Sequence, residues 1–175
     1  MAKTYPANKK LSLKENIQII LPVMYDDLMM FKQEVVSKPM AKNTLHRMRI
    51  AGKPLRYAME IGETAFGAEF SVCLEEVKNT VEMMGEIHDA DVMIPELGSH
   101  LREIRMFNWR VPVFKERIST KPVRDIIKDM KHKRKEMYEL LCSRLAGWEK
   151  MKFKEKLMEA MGIQPENKFD TAGGL

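Results

Sequence analysis

In four long stretches of this chain the apolar residues return every three or four positions, and nowhere do they alternate as a half-buried strand requires. That period confines the chain to helices with one apolar stripe each, and such helices bury their stripes against one another. The first stretch, from Ser12 to Val36, carries Leu13, Ile17, Ile20, Leu21, Met24, Leu28 and Phe31. Ser12 with Glu15 is a capping-box pair at its start. Pro22 is expected to kink or split it. A second helix is expected from Asn43 or Thr44 to about Thr64, with Gly67 as its stop. A third is expected from Phe70 to Leu97, loosened at its end by Pro95. Residues 98–121 are mixed, with a short helix over 99–107. The fourth runs from Pro122 to Trp148, and a shorter helix over 151–161 follows. The fold class is therefore all-α, an antiparallel four-helix bundle with an extra short helix. Residues 1–10 read as a flexible basic lead-in, 11–162 as a single domain and 163–175 as a frayed tail.

Composition narrows the class. The chain is 45% hydrophobic and 31% charged, as soluble globular domains are, and its 175 residues suit one domain. Cys73 and Cys142 lie far apart inside helical patterns, which fits neither a metal knuckle nor a disulfide framework and suggests a reducing compartment. No apolar run approaches the roughly 18 residues of a membrane helix, and MAKTYPANKK lacks the apolar core of a secretory signal. A cytoplasmic, membrane-free location is the expectation. The 16 methionines are expected to fill core gaps.

The formal charge of +5 is mild, but its distribution is not. Along LHRMRIAGKPLRYAMEI, residues 45–61, His46, Arg49, Lys53 and Arg56 fall within an arc of roughly 80° on one helix face. Leu45, Met48, Leu55 and Met59 flank that arc on one side, and Ile50, Tyr57 and Ile61 on the other. Cations set between apolar flanks suggest a groove, and cations at helical spacing repel one another unless an anion joins them. Arginine grips phosphate oxygens bidentately and lysine acts as a point charge. A second stripe, Arg124, Lys128, Lys131 and Lys135, covers roughly 60° of the fourth helix, with His132 at its edge. Each stripe also has a plain reading, as a solvated face or a row of ion pairs to neighbouring helices. If the two stripes face each other, they form a channel of high positive potential.

Residues 85–92 read GEIHDADV. Together with the His46–Arg56 helix, this segment resembles the conserved histidine α-helical domain, the CHAD family, with both signatures in the expected order. The resemblance implies a helical bundle that holds inorganic polyphosphate in a basic channel, with no catalysis, no metal and no cofactor. It carries the binding role onto His46, Arg49, Lys53 and Arg56, and matches Tyr57 to an Arg-Tyr ending. Asp89 and Asp91 match acidic positions of the family pattern, and Asp89 is expected to fix a cation. His88 stands where many members have arginine. Two departures matter. Pro54 replaces a basic residue and is expected to bend the helix, and the chain carries one copy of each motif, where members of the family usually carry two such halves. Either one half suffices or two chains pair as a homodimer.

Three other readings compete. The pair His88-Asp89 also occurs in HD phosphohydrolases, with His46 and Asp125 or Asp129 as further metal ligands, but the cations around His46 would repel a metal ion. Nucleic acid suits any Lys and Arg stripe, yet aromatics make up only 7% of the chain, which leaves little for base stacking. An acidic protein partner would meet the same stripes without any phosphate.

Overall fold

The structure, a computed structural model, describes residue 5, residues 7–38 and residues 42–163. Six helices follow in order: α1 (Leu13–Met29), α2 (Lys32–Ser37), α3 (Lys42–Gly62), α4 (Ala68–Arg110), α5 (Lys121–Lys150) and α6 (Phe153–Ala160). Single 3-10 turns at Glu63–Ala65 and Phe114–Glu116 sit in the two longer connections, and no strand occurs among the described residues. Helices α1, α3, α4 and α5 form the expected all-α bundle. Successive contacts run in opposite directions along α3 and α4: Lys42 meets Asp91 and Arg56 meets Glu82, so the two helices are antiparallel.

Ser12 caps α1 as its sequence requires. Its hydroxyl accepts from the Glu15 amide at 3.2 Å, and its own amide donates to the Glu15 carboxylate at 2.7 Å. Pro22, by contrast, does not split the helix, which runs unbroken to Met29. The interruption comes at Met30 and Phe31, because tertiary packing redirects the chain there. Val35 on α2 is fully buried, the Tyr138 hydroxyl donates to its carbonyl, and Arg47 lies over the Phe31 ring at 4.8 Å. Pro54 also sits inside a continuous α3.

The core joins Leu21, Leu28, Met48, Leu55, Met59, Leu74, Met84, Ile87, Leu141, Leu145 and Trp148. Gly52 is there because helices close up on it: a Cβ would stand 3.0 Å from Val81 Cγ2 and 3.3 Å from Met84 Cε. Trp148 stacks on Phe153 at 4.4 Å and on Tyr25 at 6.0 Å, which closes one end of the bundle under α6. The methionines Met48, Met59 and Met84 are core residues with no exposed surface.

The largest departure from expectation is α4. Pro95 and Gly98 do not end it, and its 43 residues run to Arg110, about 64 Å at 1.5 Å per residue. The segment 98–110, expected to be mixed, is its last third. Ile94, Leu97, Leu101, Ile104 and Asn108 are half-buried at heptad spacing, and so are Val123, Ile127, Met130, Arg134 and Met137 on α5. A two-helix seam thus keeps α4 continuous past its proline. Beyond Ala90 no residue of α4 is buried, and before Tyr138 none of α5 is. The paired helices therefore project from the bundle as an arm about 30 Å long. Residues 164–175 of the expected tail, and residues 1–4 and 6 of the expected lead-in, lie outside the described residues.

Candidate functional site

The α3 stripe lies along the groove between α3 and α4. The His46 ring packs on the His88 ring, centroids 4.7 Å apart and tilted by 30°, and His46 Nδ1 is buried without a hydrogen-bond partner among the described residues. Arg49 crosses α4 at Gly85, its Nε 3.7 Å from where a Cβ would stand. Neither Arg49 nor Lys53 has an acidic partner among the described residues, and both are half-buried. Arg56 differs. Its Nε donates to Glu60 at 2.7 Å and its Nη1 to Glu82 at 3.1 Å, and the hydrogen bond to Glu60 holds the guanidinium above the ordinary arginine range. The stripe is thus two unpaired cations, a histidine pair and one neutralised arginine.

The flanks also differ from expectation. Leu45, Met48, Leu55 and Met59 are spent in the chain's own core, while Ile50, Tyr57 and Ile61 are 46%, 52% and 63% exposed. One wall of the groove is therefore α4, and the other edge is open apolar surface that includes Tyr57.

Asp89 is exposed, borders a cavity with Glu86, Met93 and Lys133, and forms no ion pair among the described residues. The acid that fixes cations is Asp91, two residues on, with only 8% of its side chain exposed. Arg134 grips it bidentately, Nε to Oδ1 at 2.9 Å and Nη2 to Oδ2 at 3.2 Å, and Lys42 Nζ stands 3.2 Å from Oδ1. Sequence reasoning missed Lys42 and Arg134. The signal for Arg134 was present: it occupies the seam position between Ile127 and Leu141 on an otherwise apolar stripe.

The α5 stripe does not face the α3 stripe. Helix α4 lies between α3 and α5 and packs extensively on both. Lys131 and Lys135 instead border a cavity of about 500 Å³ together with Lys42, Asp91, Arg134 and Tyr138, and Lys135 lies 3.7 Å from Glu139. Arg124 and Lys128 are exposed along the arm, and His132 is exposed beside Glu136 at 3.3 Å. Lys42 of α3 thus shares a cavity with Lys131 and Lys135 of the α5 stripe.

The metal-site arrangement is not assembled. Among the described residues no three His, Cys, Asp or Glu side chains converge in a way that would hold an ion. Asp125 and Asp129 lie on the arm portion of α5, whereas His46 sits on the bundle.

The family model of the CHAD domain matches residues 10–98, about half the chain. The chain belongs to the CHAD family. The match spans α1 to α3 and α4 as far as Gly98, and so contains the whole histidine and arginine groove of this CHAD chain. Neither a curated protein nor a solved structure matches the chain. No helix among the described residues is long and apolar enough to cross a membrane.

Proposed function

We propose that this CHAD chain binds inorganic polyphosphate, without catalysis, in the α3–α4 groove. The observation that carries the reading is the unpaired state of Arg49 and Lys53. Two half-buried cations beside a buried, unpartnered His46 nitrogen need an anion, and no acidic side chain supplies one among the described residues. Phosphate oxygens meet arginine as a charged fork and lysine as a point charge. Tyr57, on the open edge, is placed to donate its hydroxyl. Arg56 contributes less, because Glu60 and Glu82 already neutralise it.

Binding by cations releases counterions, so affinity must fall with salt. Two free cations, Arg49 and Lys53, predict a slope of about −1.4 in log affinity against log salt, taking about −0.7 per phosphate on a single strand. Titration of labelled polyphosphate across ionic strengths reads this slope. Absence of binding even at low salt ends the proposal.

Pairing of two chains belongs to the same reading. The flank Leu45, Met48, Leu55 and Met59 is core, which leaves the exposed strip Ile50, Tyr57 and Ile61 beside the groove as the contact surface for a second chain. Like charges oppose such pairing and a polyanion offsets them, so polyphosphate is expected to raise the dimer fraction in light scattering. A chain that stays monomeric at high concentration with polyphosphate present rules the homodimer out.

A further inference from the structure

The arm carries a one-sign face that lies largely outside the family match. Two cavities distinguish its flanks. On one flank the cavity of about 500 Å³ is bordered by Asp91 and Ile94 of α4 and by Lys131 and Lys135 of α5. On the other, a cavity of about 350 Å³ is bordered by Glu86 and Met93 of α4 and by Met130 and Lys133 of α5. Residues three, four, seven or eleven apart share a helix face. Stepping outward from Asp91 and Ile94 leads to Gly98, Arg102 and Arg105, and from Lys131 and Lys135 to Lys128 and Arg124. The Arg102 guanidinium folds back over Gly98, its Nη1 3.9 Å from where a Cβ would stand. Asp125 and Asp129, stepping back from Lys133, fall away from this flank.

The charged groups on the first flank are therefore Arg102, Arg105, Arg124, Lys128, Lys131 and Lys135, against Asp91 and Glu139. Asp91 is closed by Arg134 and Lys42, and Glu139 stands 3.7 Å from Lys135. Arg102, Arg105, Arg124, Lys128 and Lys131 have no acidic partner among the described residues, and all five are exposed. Lys42 connects the two tracks. It lies one helical turn before His46 on α3, and it borders the same cavity as Lys131 and Lys135.

We propose that the arm's basic flank is a second segment of the polyanion site, so that the chain selects long linear polyphosphate over short. The inference rests on the α3–α4 groove as the first segment. A chain of a few phosphates occupies the groove alone. A longer one passes Lys42 and continues along Lys135, Lys131, Lys128 and Arg102 toward the tip. The groove cations from His46 to Arg56 span about 15 Å and the arm cations from Lys135 to Arg124 about 16 Å, so each segment is short compared with a long polyanion. Once the groove is filled, engagement of the arm is intramolecular and raises affinity without any change in the groove.

The test uses the full chain with tripolyphosphate and with polyphosphate of many tens of units. The arm variant combines Arg102→Gln, Arg105→Gln, Lys128→Gln and Lys131→Gln. It is expected to bind tripolyphosphate as the parent does and to lose about ten-fold or more in affinity for the long chain. A charge-matched control combines Lys9→Gln, Lys10→Gln, Lys150→Gln and Lys156→Gln, and is expected to keep the long-chain affinity. An arm variant that keeps full long-chain affinity, or a control that loses as much, overturns the proposal while leaving the groove intact. Failure of the groove itself shows separately, as tripolyphosphate binding that survives Arg49→Gln with Lys53→Gln. The exposed Trp109 at the far end gives one further outcome. Polyuridylate that displaces long polyphosphate at equal charge, and loses that advantage in Trp109→Ala, would make the arm a nucleic-acid surface and overturn the proposal.

Discussion

Replacing Arg49 and Lys53 together by glutamine is expected to lower polyphosphate affinity by about two to four orders of magnitude while the helical content stays the same. Each charge-assisted hydrogen bond contributes about 1.5–3 kcal/mol, and two are removed. The fold does not depend on either cation, since neither has an acidic partner among the described residues and neither belongs to the core. Relief of repulsion along α3 is expected to hold or raise thermal stability. Arg56→Gln is expected to do the reverse, with a smaller loss of binding and a measurable loss of stability, because it frees Glu60 and Glu82. Calorimetric titration beside circular dichroism separates the two effects. A double variant that folds and binds as the parent does places the ligand on another face.

Asp91→Asn is expected to give the largest loss of stability of any single change near the site. Among the described residues its carboxylate is the only acid that holds Arg134, whose side chain is 13% exposed, and the arm leaves the bundle at this level. Removing one partner of a buried pair costs about 3–5 kcal/mol, because a charge is left buried without its counter-ion. For a domain of this size that lowers the melting temperature by about 6–20 °C. Lys42, 45% exposed in its side chain, offsets little of this. The double change Asp91→Asn with Arg134→Met removes both members and is expected to recover most of the loss, since apolar replacement of a buried pair is often neutral. If the single variant melts like the parent, Arg134 is not held by Asp91 in solution.

The histidine pair shows how a family signature and a local structure divide the argument. His46 and His88 are far apart in sequence and belong to separate motifs, and only the antiparallel crossing of α3 and α4 stacks their rings. The resemblance alone pointed to Asp89 as the residue that fixes a cation. The helix places Asp89 on the exposed side and Asp91 on the seam with α5, so the second acid of the same motif takes that part.

By itself the sequence determined the all-α class, the Ser12–Glu15 cap, four long helices, the core stripe on each and the basic face of α3, because these depend on the period of apolar and charged residues within one segment. Only the tertiary structure decided where helices end and which faces meet. Proline is a local signal for a break, yet Pro22, Pro54 and Pro95 all lie inside continuous helices. A proline inside a helix costs about 3 kcal/mol, and for Pro95 the seam of apolar contacts on both sides of it offsets that cost. The same limit applies to the charged stripes. Each was legible as a stripe, but whether two stripes face one another depends on how helices pack. Helix α4 stands between α3 and α5, so the expected common channel is replaced by a groove, a cavity reached by Lys42, and an arm.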